Sequence, residues 1–158
     1  DLRLSRGLGD VYKRQCIGYG EEEQNLKDLV NELDLSGQVM FFKEITDDLK
    51  NALVAKSNIF VMPSVKYKSS VEGFGIAYIE AAQYGVPSLG GADGGAADAI
   101  QHDKTGLICD GNNLDEIYSS LNSMIENKKY LHFGKNAKEL SSKFDWSNTI
   151  EQYKKILT

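Results

Sequence analysis

Residues 15–35, QCIGYGEEEQNLKDLVNELDL, place a short strand-like run directly before an amphipathic segment. The run QCIGYG is largely apolar and ends at a glycine, which is typical of a buried strand that leads into a loop. In the segment that follows, apolar side chains recur at the spacing i, i+3, i+4, i+7, at Leu26, Leu29, Val30 and Leu33. That spacing predicts one apolar face on a helix. The stretch therefore predicts a unit of strand, loop and helix.

The same unit repeats along the chain. Apolar runs of strand length recur as VMFF, IFVMP, VPSL and GLIC, at residues 39–42, 59–63, 86–89 and 106–109. Helices are predicted between them, over residues 46–56, 75–84 and 96–100, with GGADGG (90–95) as a loop. Strands joined by helical crossovers run parallel. We therefore predict an α/β fold, an open, doubly wound parallel sheet with helices on both faces.

The last third of the chain is predicted to be helical. Apolar residues mark one helix face at Leu114, Ile117, Tyr118, Leu121 and Ile125, and a second at Trp146, Ile150, Tyr153 and Leu157.

Size and charge narrow the range of functions. The chain has 158 residues, of which 41% are hydrophobic, so it can bury one core and one domain is expected. Its formal net charge is -5. Neutralising nucleic-acid phosphates needs clustered Lys and Arg, so the charge argues against a nucleic-acid partner. It favours a small-molecule or protein partner.

Other patterns bear on location and metal content. No apolar run approaches the roughly 20 residues that cross a bilayer, and no signal peptide is indicated, so we expect a cytoplasmic protein. Cys16 and Cys109 each stand in an apolar run, with no second Cys or His at metal-binding spacing. We expect two free buried thiols and no metal site.

The first fifteen residues, DLRLSRGLGDVYKRQ, do not join the repeating pattern. They carry four basic and two acidic residues and contain neither a periodic helix nor a complete strand. We expect residues 1–15 to be a non-native or disordered leader, with a genuine flexible terminus as the alternative. The domain is then expected to cover residues 16–158 and to be incomplete at its N-terminal end.

Two glycine loops are candidates for ligand binding, because ligands of open parallel sheets bind beyond the carboxyl ends of the strands. The loop GYGEEE (18–23) resembles a dinucleotide fingerprint only superficially. It lacks the third glycine and places three acidic side chains where a pyrophosphate would approach. Charge repulsion argues against that interpretation.

The segment EGFGIAYIEA (72–81) fits an anion better, because no acidic residue follows its glycines in the first helical turn. If a helix begins near Gly75, the amides of Phe74, Gly75 and Ile76 are donors without intrahelical acceptors, and a diphosphate could accept from them. Glu80 lies five residues after Gly75, which is about 7.5 Å along the helix axis at ~1.5 Å per residue. That is roughly the reach from a diphosphate to its ribose, whose two hydroxyls a carboxylate can bind. Glu72 would lie at the opposite end, near the group that the diphosphate carries.

The segment EGFGIAYIEAAQYGVPSLGGADGGAADAIQHDKTGLIC (72–109) resembles the signature region of the retaining glycosyltransferases of family 4. The shared features are two glutamates separated by seven residues, the following G-x-P, the paired glycines and a T-G-L-hydrophobic strand. IFVMPS before this region and FDWSNTIEQYKKIL after it also resemble the family, and the likeness covers about residues 15–157. It implies the donor-binding C-terminal half of a GT-B enzyme, with a Rossmann-like fold.

The resemblance also implies residue roles. Glu80 would bind the ribose diol, and the backbone amides of Phe74, Gly75 and Ile76 the diphosphate and the transferred sugar. Glu72 is assigned to the sugar hydroxyls near the reacting carbon, as the catalytic residue. Gly18 and Gly20 would border the nucleotide.

Transfer of a hexose from a nucleotide-diphosphate sugar to an acceptor hydroxyl, with retained anomeric configuration, is the activity implied. The donor is a co-substrate, and neither a cofactor nor a metal is expected. An N-terminal acceptor domain is the expected partner, and any peripheral membrane contact would come through that half. A non-catalytic nucleotide-binding α/β module is the alternative, and a relative of glycogen phosphorylase is a weaker one, since no pyridoxal lysine motif is evident.

Two departures from the family pattern stand out. Lys43 follows the V-x-F-x run where the family usually has glycine, which implies a differently shaped base pocket. The family's phosphate-binding Arg and Lys belong to a strand and loop that should precede Gln15, and nothing in this sequence matches them.

Overall fold

The structure is a computed structural model and describes residues 12–157. The described chain divides into two compact units, with the boundary between Lys50 and Asn51. Most of the leader predicted over residues 1–15 lies outside the described residues, which begin at Tyr12. The first strand begins at Arg14, so Arg14 and Gln15 belong to the fold.

The first unit contains two parallel strands. Strand β1 (Arg14–Ile17) pairs with β2 (Val39–Phe42), and helix α1 (Glu23–Glu32) connects them. In register, Cys16 lies opposite Phe41. Helix α2 (Asp47–Lys56) follows and runs into the second unit. The predicted order of strand, helix and parallel strand is confirmed here.

The second unit is built on three parallel strands in sequential order, β3 (Phe60–Met62), β4 (Ser88–Gly91) and β5 (Gly106–Cys109). Helix α3 (Ile76–Gln83) connects β3 to β4, and the short helix α4 (Ala96–Ala99) precedes β5. After β5 come α5 (Leu114–Glu126), α6 (Lys129–Ser141), a 3-10 turn (Ser142–Phe144) and α7 (Trp146–Leu157).

The core of the second unit lies on both faces of its sheet, because successive strand residues point to opposite sides. On one face, side chains of α3 and α4 pack with alternate strand residues; the cluster includes Tyr78, Ile79, Ala99, Ile100, Phe60, Met62 and Ile108. On the other face, side chains of α5 and α6 do the same; this cluster includes Leu89, Leu107, Cys109, Met124 and Phe133. Helices therefore cover both faces of a parallel sheet, as a doubly wound α/β unit requires.

Strand β4 lies further along the chain than the sequence pattern indicates. It starts at Ser88 and includes Gly90 and Gly91, which we predicted as loop. Pro87 has no N–H to donate to a ladder, so it precedes the strand. A Cβ on Gly91 would collide with the backbone of Ser64, so only glycine fits there. The GG pair that resembles a turn is buried strand.

The two predicted C-terminal helix faces differ in their packing. In α5, Ile117 and Leu121 pack on the core, whereas Leu114 and Tyr118 are exposed. In α7, the stripe of Trp146, Ile150, Tyr153 and Leu157 is exposed throughout, and none of the helix's described residues is buried. Within residues 12–157, no helix is both long and apolar enough to span a bilayer.

Candidate functional site

The N-terminus of α3 is the centre of the candidate site, and Gly75 shapes it. Gly75 precedes the helix with φ 78°, in the left-handed region. A Cβ at this position would contact Cδ2 of Tyr78 and lie 2.6 Å from its Cε2. Backbone angle and lack of space both require glycine. The helix begins at Ile76, one residue after the predicted start.

Glu72 caps this helix start. Its Oε1 accepts a hydrogen bond from the N–H of Gly75 at 3.1 Å. One of the three amides that we predicted to face a diphosphate is therefore bonded within the chain. In the first helical turn, the N–H of Tyr78 already donates to the carbonyl of Gly75 at 2.9 Å. The N–H of Ile76, the first residue of the helix, has no intrahelical acceptor and can bind an anion. The side chain of Ile76 is exposed.

A second glycine pair holds the backbone of Glu72. The carbonyl oxygen of Glu72 accepts from the N–H of Gly95 at 3.0 Å, and Glu72 also forms an isolated parallel bridge with Gly94. A Cβ on Gly95 would collide with the carbonyl of Gly73, and one on Gly94 with that of Glu72. These two glycines therefore let the loop after β4 press against the loop before α3.

Glu80 lies on α3 between the buried residues Ile79 and Ala81 and is half-buried. The predicted helical frame is observed, so Glu80 follows Gly75 by about 7.5 Å along the axis, at ~1.5 Å per residue. At the other end, the ring of Phe74 packs edge-on against Phe144, with 5.6 Å between ring centroids. The structure thus brings Glu72, Phe74, Gly75, Ile76 and Glu80 onto one helix and its preceding loop.

The buried side chain of Tyr78 supports the start of α3, a role that the sequence did not predict. Its side chain is 1% exposed, and its hydroxyl donates to the carbonyl of Met62 at the end of β3, at 2.6 Å. Burial raises the pKa of the phenol, so the hydroxyl stays protonated as a donor. Helix α3 is thereby tied to the carboxyl end of the sheet. In the sequence, Tyr78 reads only as a core residue of an apolar helix.

Gly18 and Gly20, predicted to border the nucleotide, lie in the first unit. Gly18 has φ 140°, and its N–H donates to the carbonyl of Phe42 at 3.0 Å. A cavity of about 280 Å³ lies beside them, lined by Cys16, Ile17, Gly18, Tyr19, Gly20, Glu22, Glu23, Leu26 and Phe41. The ammonium of Lys43 lies 5.9 Å from the centroid of the Tyr19 ring. Lys43, which stands where the family usually has glycine, therefore lies over the exposed ring of Tyr19.

Both cysteines are free thiols, as expected. Cys109 is buried, whereas Cys16 is only partly buried. Among residues 12–157, no group of three or more His, Cys, Asp or Glu side chains is arranged to hold a metal ion.

Comparison with known proteins places these features in a family. The model of the family described as "Glycosyl transferases group 1" matches residues 3–140. The chain belongs to the group 1 glycosyl transferases. The glycosyltransferase resemblance inferred from residues 72–109 is therefore confirmed, while the narrower assignment to family 4 stays a prediction.

Individual relatives agree with the family assignment. An uncharacterised glycosyltransferase of Haemophilus influenzae is 30% identical over 145 residues, which cover 90% of this chain and 39% of the relative. A GDP-mannose-dependent alpha-(1-6)-phosphatidylinositol monomannoside mannosyltransferase of Mycobacterium tuberculosis is 32% identical over 111 residues, which cover 69% of this chain and 29% of that protein.

Solved structures support the fold. Anabaena HepE, crystallised in complex with UDP, matches with a TM-score of 0.76 at 23% identity, over 92% of this chain and 40% of that one. The predicted Rossmann-like α/β fold of a GT-B glycosyltransferase is confirmed by this likeness. The chain spans at most 40% of the length of each of these three proteins.

Proposed function

We propose that this chain is the donor-binding half of a retaining glycosyltransferase, which moves a hexose from a nucleotide-diphosphate sugar to an acceptor hydroxyl. The observation that carries the proposal is the frame around α3: Glu72 and Glu80 stand on either side of a left-handed Gly75 at a helix N-terminus. Family membership adds support. Relatives named as GDP-mannose-dependent mannosyltransferases, and HepE in complexes with UDP and UDP-glucose, indicate a nucleotide-sugar donor.

The donor would lie along this frame. Its diphosphate accepts hydrogen bonds from the amides of Phe74, Gly75 and Ile76, and Glu80 accepts from the two ribose hydroxyls. As the bond from the anomeric carbon to the diphosphate breaks, negative charge grows on the leaving oxygen. Amides at a helix start stabilise that charge without reorganising. The acceptor oxygen bonds to the same face of the anomeric carbon, and its proton passes to the departing diphosphate oxygen.

Glu72 would change partner when the donor binds. Its carboxylate now occupies the N–H of Gly75. A diphosphate oxygen that takes this N–H releases the carboxylate, which can then accept from the sugar hydroxyls near the reacting carbon. Donor binding and sugar orientation are coupled in this proposal through one backbone amide.

The proposal also assigns roles to residues outside the start of α3 and to an N-terminal domain. Gly18, Gly20 and the cavity beside them would border the nucleotide. An N-terminal domain would supply the acceptor site, the phosphate-binding Arg and Lys, and any membrane contact. The reaction would proceed in the cytoplasm without a metal, with amide dipoles and the basic pair in its place.

A donor panel tests the proposal. The chain, and the intact enzyme that contains it, are titrated by calorimetry with UDP, GDP and their hexose derivatives, and transfer is followed in the enzyme. Glu72→Ala should leave nucleoside-diphosphate affinity within a few fold and lower turnover at least tenfold, because Glu72 is placed at the sugar. Glu126→Ala, an exposed carboxylate on α5, is the matched control.

Three outcomes would each contradict one part of the proposal. Equal losses of nucleotide affinity and turnover in Glu72→Ala would mean that its role is wrong. Tight nucleotide binding without transfer by the intact protein would favour the non-catalytic nucleotide-binding module. Inversion at the anomeric carbon would exclude the retaining mechanism alone.

A further inference from the structure

The loop between β3 and α3 is held at both ends by one neighbouring loop. Residues 65–75 of this loop lead to the candidate site. At its entry, the N–H of Lys66 donates to Oδ2 of Asp93 at 3.0 Å. At its exit, the carbonyl of Glu72 accepts from Gly95 at 3.0 Å. Asp93 and Gly95 lie two residues apart in the loop that follows β4.

Between these two attachment points the segment is a tight turn. Tyr67 and Ser70 exchange two backbone hydrogen bonds, of 3.0 and 2.9 Å, and Lys68 between them has φ 55°. The turn therefore behaves as one piece whose direction depends on how its ends are fixed. The exit is fixed by backbone groups, and glycines at 94 and 95 permit that contact. The entry is fixed by the side chain of Asp93.

We infer that Asp93 is a positioning residue for Glu72, and that it acts by fixing the entry of residues 65–75 through the Lys66 amide. Asp93 does not touch the donor in this inference. Its carboxylate orients the turn, and the turn sets where the Glu72 carboxylate stands relative to the sugar. The inference rests on the proposed function, because it concerns how the same site holds its donor.

The contact is suited to positioning more than to stability. Lys66 is exposed, so water can satisfy its N–H when the carboxylate is removed. The exchange of one partner for another costs little free energy of unfolding. What is lost is the fixed direction of the turn. Removing the carboxylate should therefore disturb sugar binding and leave the melting temperature nearly unchanged.

The variants are Asp93→Ala, Asp93→Asn and Asp98→Ala. The Asn side chain keeps an oxygen that can accept from the Lys66 amide, so it should rescue the effect. Asp98 is an exposed aspartate five residues further, on α4, and controls for loss of local negative charge. Each variant is compared with the unsubstituted chain by hydrogen exchange and by titration.

Hydrogen exchange tests the local claim without any ligand. In Asp93→Ala, the amide of Lys66 should exchange at least about tenfold faster than in the unsubstituted chain, because it loses its acceptor. Asp93→Asn and Asp98→Ala should exchange at the original rate. Unchanged exchange in Asp93→Ala would overturn the inference, whatever the chain binds.

Titration tests the consequence for the donor. The probes are UDP and UDP-glucose, and GDP and GDP-mannose, each pair differing only in the sugar. Asp93→Ala should bind the nucleotide sugar about tenfold more weakly, equivalent to about 1.4 kcal/mol, and the free nucleoside diphosphate within threefold. Asp93→Asn should restore the affinity. Equal weakening of both probes, or failure of Asn to restore binding, would contradict a positioning role.

Titration of the unsubstituted chain distinguishes failure of the proposed function from failure of the inference about Asp93. An unsubstituted chain that binds none of the four probes counts against the donor site itself. The hydrogen-exchange result on Asp93→Ala still decides whether Asp93 fixes residues 65–75.

Discussion

Replacing Gly75 with alanine should destabilise the second unit through two separate effects. The first is backbone strain, since an L-residue in the left-handed region costs roughly 1 to 2 kcal/mol and Gly75 has φ 78°. The second is a collision of the new Cβ with the ring of Tyr78. That ring cannot easily move, because Tyr78 is 1% exposed and its hydroxyl is bonded to Met62 at 2.6 Å.

Overpacking of this kind costs about 1 to 3 kcal/mol, so Gly75→Ala should lower the free energy of unfolding by about 2 to 5 kcal/mol in total. The free energy of unfolding is measured by urea denaturation followed by far-UV circular dichroism. Gly73→Ala is the matched control in the same loop, because a Cβ on Gly73 meets nothing within 4 Å. Its effect should stay within about 0.5 kcal/mol.

A third variant separates the two effects. Asparagine tolerates the left-handed region better than alanine, so Gly75→Asn relieves part of the strain but keeps the Cβ that meets Tyr78. It should remain clearly destabilised. If Gly75→Ala matched Gly73→Ala within error, neither strain nor collision would operate, and the account of this helix start would be wrong.

Three further predictions concern other groups. Glu80→Gln should weaken nucleotide binding in the intact enzyme by about ten- to a hundredfold, the range of a charge-assisted hydrogen bond. Unchanged affinities for UDP and GDP by calorimetry would show that Glu80 does not bind the ribose hydroxyls. Burial raises the pKa of the Cys109 thiol, so Ellman's reagent at pH 8 should modify Cys16 much faster than Cys109. Equal rates of modification for the two thiols would contradict this prediction. Hydrogen bonds from the N–H and hydroxyl of Ser147 lower the pKa of Asp145 from its ordinary value. The stabilisation of α7 should therefore be complete above that ordinary value and lost as pH falls through the lowered pKa, a change in the helical circular dichroism signal that Asp145→Ala should lack.

Local patterns in the sequence were sufficient for the order of elements and the class of fold. Leu26, Leu29 and Leu33 predict α1, and short apolar runs predict the strands, because both signals depend on side-chain periodicity along a few residues. The frame from Glu72 to Glu80 was also visible, since helical spacing converts sequence separation into distance. Family membership followed from the same residues.

Strand ends and contacts between loops were decided by tertiary structure. Gly90 and Gly91 resemble a turn in the sequence but belong to β4, where they pair with β5. Ile100 and Ser64 leave no room for a Cβ at these two positions. Asp93 reads as an ordinary loop aspartate, and its bond to Lys66 spans 27 residues.

Glu72 shows most clearly what the sequence alone determines and what it does not. The sequence determined its place before a helix and its relation to Glu80, because both follow from helix geometry. Only the tertiary structure decided that its carboxylate occupies the Gly75 amide while its carbonyl is held by Gly95. That second bond needs two loops, 23 residues apart at Glu72 and Gly95, to meet at the carboxyl ends of adjacent parallel strands. No pattern within either loop encodes that meeting, since it depends on the pairing of β3 with β4.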